Sequence, residues 1–499
     1  VVRSLPAWSS VVKASLAGHA WLGLVAGGLM YLICLSGTLA VFYQELERWE
    51  QPRALEGQRA EPDVVQRAVA SALARLPAAP PHLYVGLPAA SMPRLTVSTD
   101  KEHEAWFVNA DGSLGERVAH PWTHLLLNLH IYLHLPSTVG LLVVGASGAL
   151  LFGLIVSGFL AHPRIVKDAF RLRLGSPHLE QTDIHNRLSV WGAPFHVVIA
   201  LTGAYFGLAS VMFVLLGWAF HGGKTDEATD VIYGAEPKVH GAAGAPDVAT
   251  ALRRLAGVTP AGTSPSFLTV HDAGTPRQFV AFEVRQPGRL IWAEYYQFDG
   301  AGTYLGRTDY SDGPVGRQVI YSSYRIHFGN FGGWPVKVLY GLLGLSLTVI
   351  SASGINIWLA RRRTRDYLND LWMGTIWGAP AALALTAVTT VVFGVPSTAL
   401  FWVALASAIG WSLFARQPEH ARRVLCGITA ALLGALVAGY TARFGIAGLT
   451  PAASWITGGV LGATAILATV AARPVAAAVS EGARTHLTGV IPPDPVSER

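Results

Sequence analysis

The chain is poor in two things that soluble proteins carry freely. Charged residues make up 14% of its 499 positions, against roughly a quarter in an ordinary soluble domain. Cysteine occurs twice, as Cys34 and Cys426, each inside an apolar run. A disulfide framework, a CxxC redox pair and a CxxCH haem-attachment motif are thereby excluded, so any haem must be held noncovalently. GxSxG, P-loop and GxGxxG motifs are also missing, which leaves no nucleophile elbow and no nucleotide cradle. What is abundant is apolar: 51% of the residues are hydrophobic and the mean hydropathy is +0.39. That is the composition of an integral membrane protein. Lys and Arg exceed Asp and Glu, 37 against 31, but the excess gathers in a few loops, and nucleic acid is not an expected partner.

A helix needs about 20 apolar residues to cross a bilayer core. Uncharged runs of that length cover Ala20–Tyr43, Ser137–Leu160, Leu188–Ala219 and Val338–Ala360. A longer one, Leu371–Ala415, predicts a helical hairpin broken near Gly394 and Pro396, and Val424–Ala442 and Ala452–Ala472 bring the expected count to eight. Arg164, Lys167, Arg171, Arg173 and Arg187, then Arg361, Arg362, Arg363 and Arg365, then Arg416, Arg422 and Arg423 fill three loops on one side of this layout. With Arg3 and Lys13 they mark that side as cytoplasmic, with both termini inside and the first helix a retained anchor.

Two polar segments, 44–135 and 221–333, then lie outside, leaving helix 1 at 1–43, helices 2 and 3 at 136–220, helix 4 at 334–365, helices 5–8 at 366–475 and a cytoplasmic tail at 476–499. The two outer segments resemble each other. Each opens with Pro-Asp-Val (Pro62-Asp63-Val64; Pro246-Asp247-Val248) and an amphipathic helix, then carries strands joined by a glycine turn near Asp111-Gly112 and Asp299-Gly300. The expected fold is an all-α polytopic membrane protein with two periplasmic α+β modules inserted as a parallel repeat, related by an axis along the membrane normal.

Seventeen histidines are present. Seven, His19, His130, His134, His162, His185, His196 and His327, fall at helix ends or inside helices, where ionisable groups are expensive and point to function. His19 precedes Gly37 by the same interval at which His185 precedes Gly203, which places the two histidines at equivalent points near the cytoplasmic ends of helices 1 and 3. His130 and His327 precede Gly158 and Gly354 by intervals that differ by a single position. Imidazoles offered from symmetry-related helices suit a bis-histidyl haem iron. This gives an inner set of His19, His185 and His196 and an outer set of His130, His134 and His327, with His162 a ligand or propionate contact. Zinc is the rival, because His130 and His134 share a helical face, although no HExxH accompanies them.

The motifs Gly18-His19-Ala20-Trp21-Leu22-Gly23-Leu24, Leu35-Ser36-Gly37-Thr38 with Gln44-Glu45 and Trp49, and Leu129-His130 through His134-Leu135-Pro136 carry a family resemblance. So do Ser157-Gly158 through His162, Lys167-Asp168, Phe170-Arg171, Asp183, His185-Asn186, Ala193-Pro194-Phe195-His196, His327-Phe328-Gly329 and Ser353-Gly354 with Trp358. Over roughly residues 15–370 the chain resembles the PepSY-associated transmembrane proteins, specifically the iron-uptake branch of inner-membrane ferric-siderophore reductases. The resemblance implies PepSY-like outer modules and two noncovalent b-type haems. It also implies a ferric siderophore as substrate and an electron donor that is either cytoplasmic or a membrane quinol. Membrane lipid is the surrounding partner, and helices 5–8 are an addition to the four-helix form. The chemistry is coherent, because Fe(III) is held by hard oxygen donors and Fe(II) less so. A PepSY regulator or peptidase inhibitor without redox activity, and a transporter, are the other readings. No acidic residue lies within the first four apolar runs, which counts against ion-coupled transport.

Overall fold

A computed structural model describes residues 8–101, 104–170, 177–362, 364–449 and 452–472. Arg3, Arg171, Arg173, Arg363 and the expected tail lie outside the described residues. Seven helices among those described are long and apolar enough to cross a membrane. They are α1 (Trp8–Ala40), α5 (Ser137–Ala161), α8 (Ala193–Phe220), α12 (Gly333–Arg361), α13 (Tyr367–Ala387) with its π-helical end Val388–Val392, α14 (Thr398–Ala415) and α15 (Pro418–Phe444). The eighth expected span forms as α16 (Ala452–Ala472), which is not among those seven.

The expected single helix over 188–219 is two. The helix α7 (Pro177–Trp191) ends at Gly192 and α8 restarts with Pro194 at its first turn, where a missing N–H does no harm. The break also makes room: any Cβ at Gly192 would run into the His196 ring. The expected hairpin turn forms with Gly394 at φ 73°, and Ser397 caps α14 by accepting from Leu400 N–H at 3.1 Å.

In the membrane, α1 packs on α5 and α12, α5 on α8, and α12 on α7. Gly145 and Gly207 bring the backbones of α5 and α8 together, since a Cβ on Gly145 would lie 2.7 Å from the Gly207 carbonyl carbon. The later helices α13, α15 and α16 pack beside this group. Tyr31 of α1 donates to Ile376 O at 2.6 Å, and Tyr440 of α15 donates to Trp49 O at 3.0 Å while stacking on its ring.

Between α1 and α5 run α2 (Tyr43–Glu50), α3 (Pro62–Arg75), strands β1 (His82–Gly86), β2 (Thr96–Thr99), β3 (Ala105–Val108) and β4 (Leu114–Arg117), and α4 (Pro121–Tyr132). The short α6 (Ile165–Asp168) follows α5. After α8 come α9 (Thr225–Tyr233), α10 (Val248–Val258), β5 (Ser264–His271), β6 (Phe279–Arg285), β7 (Glu294–Asp299), β8 (Tyr304–Arg307) and α11 (Val315–Phe328). The two segments were expected to fold as separate modules. They instead share one antiparallel eight-stranded sheet in the order β4-β3-β2-β1-β5-β6-β7-β8, joined where β1 pairs with β5. Separate four-stranded sheets would leave β1 and β5 as open edges, and pairing them removes both.

The helices α3 and α10 lie together over the sheet. Val65, Ala68, Val69 and Ala72 of α3, and Val248, Ala251 and Leu255 of α10, are buried against Val85, Val97, Leu268 and Phe282. Gln66 ties the two helices, donating to Pro246 O and accepting from Ala249 N–H, each at 3.0 Å. The glycine turns occupy matching places. Gly112 (φ 89°) and Gly302 (φ 75°) close the β3–β4 and β7–β8 hairpins against α3 and α10, where a Cβ would meet Val64 O at 2.9 Å and Ala251 N at 2.8 Å.

Candidate functional site

His19 stands on α1, and His185 on α7. Their ring centroids are 6.4 Å apart with planes at 86°. His130 on α4 and His327 on α11 form a second facing pair, also at 6.4 Å, with planes at 31°. The glycine beneath His130 is Gly37, which lies on the same helix as His19. At 1.5 Å rise per residue, the stretch of α1 from His19 to Gly37 sets the two pairs about 27 Å apart, most of the depth of a bilayer core.

Each ring is fixed in the same manner. His19 Nδ1 lies 3.0 Å from Leu154 O and 3.2 Å from Ser157 Oγ, and His130 Nδ1 lies 3.0 Å from Ile33 O. A carbonyl only accepts, so these Nδ1 atoms carry the proton. His185 Nδ1 meets Ser353 Oγ at 3.0 Å, and His327 Nδ1 meets Thr202 Oγ1 at 2.8 Å. Those hydroxyls donate their own protons to Ile350 O and Val198 O, leaving a lone pair to accept from the imidazole. All four histidines thus hold their proton on Nδ1 and keep the Nε2 lone pair free, the tautomer a metal requires when the other nitrogen is anchored.

A glycine lies beside each ring. Measured from where a Cβ would stand, Gly37 lies 2.6 Å from His130 Cε1, Gly158 3.2 Å from His19 Cε1, Gly354 3.4 Å from His185 Cε1 and Gly203 3.5 Å from His327 Cε1. Each follows a Ser or Thr: Ser36, Ser157, Ser353 and Thr202. These dipeptides served as landmarks in the sequence. Their role as seats for the rings, and the anchoring by Ser157, Ser353 and Thr202, was missed there, although a Ser-Gly or Thr-Gly dipeptide recurring in each of α1, α5, α8 and α12 was a visible signal.

The other three histidines stand apart from the pairs. His134, in left-handed conformation at φ 57°, donates from Nε2 to Leu125 O at 2.8 Å and accepts at Nδ1 from Trp402 Nε1 at 3.0 Å. Both its nitrogens are engaged. His196 is 2% exposed and lies between the pairs, with Nε2 3.2 Å from Ser346 Oγ on α12. His162 closes the C-terminus of α5. Near the second pair, Arg325 on α11 donates to the carbonyls of Arg289, Ile291 and Asn330, and Trp122 at the start of α4 is buried.

The pairs fit a haem iron. Two opposed imidazoles with nitrogen–metal bonds of about 2 Å have centroids about 6 Å apart. Neither pair has a third His, Cys, Asp or Glu close enough to complete a metal-ion set among the described residues, and zinc takes four ligands. Buried carboxylates hold the outer pair's surroundings. Glu50 accepts from Trp122 N–H, Thr123 N–H and Thr123 Oγ1 at 3.0, 2.7 and 2.6 Å, capping the helix that carries His130. Burial pushes the Glu50 carboxyl up to about 7 despite those bonds. Lys337 at the start of α12 is paired with Glu45 at 2.7 Å, both 6% exposed.

The description "PepSY-associated TM region" matches residues 16–361. The chain belongs to this family. An uncharacterized protein of Pseudomonas aeruginosa is 27% identical over 287 residues, 53% of this chain and 71% of that protein. Both histidine pairs lie inside the PepSY-associated TM match, which ends at the last residue of α12. Helices α13–α16 follow it.

Proposed function

We propose that the protein is an inner-membrane b-type cytochrome with two noncovalent haems, passing single electrons across the bilayer to a ferric siderophore and releasing Fe(II). The observation that carries this reading is the pair of facing histidine sets, each with Nε2 free, stacked about 27 Å apart along α1. When bound, haem supplies the one-electron couple. His19 and His185 hold the inner group, His130 and His327 the outer one. Ser157, Ser353, Thr202 and the carbonyls of Leu154 and Ile33 fix the imidazole tautomer. The balance is one electron from a membrane quinol or a cytoplasmic donor, taken up by Fe(III) to give Fe(II). We place the basic loops in the cytoplasm and the sheet in the periplasm. We read its two halves as one inserted unit used twice, on the strength of the matching helix, hairpin and histidine positions.

Against a transporter, Lys337 and Asp370 within the spans are each paired, with Glu45 and Arg365. The test is spectral and kinetic. Detergent-purified protein should be red, with about two extractable haems per chain. When reduced and mixed anaerobically with a ferric siderophore and an Fe(II) trap, its haem should reoxidise as trapped Fe(II) appears. A colourless protein, or haem that stays reduced with chelates of several potentials, would leave the PepSY regulator as the account.

A further inference from the structure

The seam of the sheet carries a second cluster. His82 opens β1 and His271 ends β5, and the two are directly opposed in the antiparallel register. Their rings lie 5.0 Å apart at 89°. Glu236, from the stretch between α9 and α10, brings a carboxylate oxygen 3.7 Å from His271 Nδ1. One ligand atom from each of His82, Glu236 and His271 lies within 4.8 Å of the others. Among the described residues, no other group of three His, Cys, Asp or Glu side chains meets that spacing.

The surroundings orient the donors. His82 Nδ1 lies 3.2 Å from Asp100, whose Oδ1 also accepts from Tyr84 O–H at 2.7 Å. This carboxylate fixes the His82 ring and leaves its Nε2 as the nitrogen available to a metal, the carboxylate–histidine arrangement common around bound cations. His271 is stacked flat on Phe279, with centroids 4.0 Å apart and planes at 9°. The Glu236 side chain is 73% exposed, so it can close by rotation. Metal bonds of about 2.0–2.2 Å bring ligand atoms within about 4.4 Å of each other, a small movement from the present spacing.

We propose that His82, His271 and Glu236 form a binding site for a divalent first-row transition-metal cation, with Asp100 positioning His82. Two imidazoles and one carboxylate with open positions suit Zn²⁺ or Fe²⁺ and not Ca²⁺ or Mg²⁺, which take oxygen ligands. The donors come from both chain segments, so an ion there bridges the strand pairing that joins them. This inference stands apart from the haem reading and uses none of its residues.

The probe is Zn²⁺, added to the full-length detergent-purified protein by equilibrium dialysis and counted by elemental analysis, with excess Mg²⁺ present. The expected result is one tightly held Zn²⁺ per chain, lost in His82→Gln and in His271→Gln. Asp100→Asn should weaken binding about tenfold or more, and absorption at the zinc edge should show two imidazoles. An unchanged far-ultraviolet circular dichroism spectrum and thermal midpoint without metal confirm that each variant is folded. Zinc stoichiometry unaffected by either histidine variant, or no Mg²⁺-resistant zinc in the parent, would overturn the proposal.

Discussion

Replacing Gly37 with Ala tests the outer pair most sharply. The new methyl would stand 2.6 Å from His130 Cε1 and 2.9 Å from its Nδ1, whereas carbon contacts settle at about 3.5–4.0 Å. The ring must retreat by about 1 Å. The helix beneath it cannot follow, because Glu50 caps its start and Leu125, Leu126 and Leu129 are buried in the core. Overpacking of this kind costs about 1–3 kcal/mol, and losing the bond from Nδ1 to Ile33 O adds about 1 kcal/mol. The sum, about 2–4 kcal/mol, corresponds to a loss of roughly 30- to 1000-fold in affinity for a group held by His130. Gly203→Ala is the matched control, since its methyl would lie 3.5 Å from His327 Cε1, an ordinary contact. Haem titration of apoprotein, followed in the Soret band, should show two sites in the parent and in Gly203→Ala. It should show one tight and one weakened site in Gly37→Ala. Equal behaviour of the two variants would refute the steric argument, and loss of both sites in Gly37→Ala would mean that the bundle, not the ring, had been disturbed.

His130→Ala and His327→Ala should each remove about half the haem, whereas His134→Ala, whose nitrogens are both engaged elsewhere, should remove none. Pyridine haemochrome counts decide. The near-perpendicular inner rings and more nearly parallel outer rings should give two distinct low-spin signals in paramagnetic resonance, and a single one would contradict the pairing. Glu50 titrates near 7 in the folded chain against 4.5 outside it. The folded state therefore retains a proton that the unfolded chain releases, and the Glu50 share of stability should fall by at most about 3 kcal/mol as pH rises from about 4.5 to about 7, while Glu47, pushed up to about 8 by burial, adds a slope of its own that runs to higher pH. Thermal melts of Glu50→Gln should lose the Glu50 share of the slope and keep that of Glu47; a slope of undiminished size would assign it elsewhere. Lys337→Met should cost about 3–5 kcal/mol by stranding Glu45, with much of it restored by adding Glu45→Met. Failure of the double variant to recover stability would show that the pair does more than neutralise itself.

The spans were legible because a bilayer-length run without a charge leaves few alternatives, and the equal offsets of His19 from Gly37 and of His185 from Gly203 already put the two histidines at equivalent points. Other features depend on where a side chain points. His134 shares a helical face with His130 on paper, but Leu133 and His134 both turn left-handed, at φ 54° and 57°, and swing its ring toward Trp402. His196 lies close to His185 in number, yet the break at Gly192 and the bond to Ser346 turn it elsewhere. The merging of the two outer segments was illegible for a different reason. Each reads as a complete helix-and-hairpin unit, and nothing in an isolated strand states whether its edge will meet a partner from the other segment, beyond two intervening spans.

The order of strands places β4 and β8 at the two ends of the sheet, and the next helix after each is the one that carries His130 or His327. The sheet therefore works as a caliper whose jaws are α4 and α11. Its hinge, the β1–β5 pairing, cannot form until the chain has crossed the bilayer and returned, so the outer pair is assembled late; His19 and His185 both precede β5 in synthesis, and Ser353, which anchors the His185 ring, follows it. Contacts this distant in sequence form slowly. A chain halted before β5 would hold His130 with nothing opposite it, which makes completion of the outer pair a structural record that both segments have reached the same side.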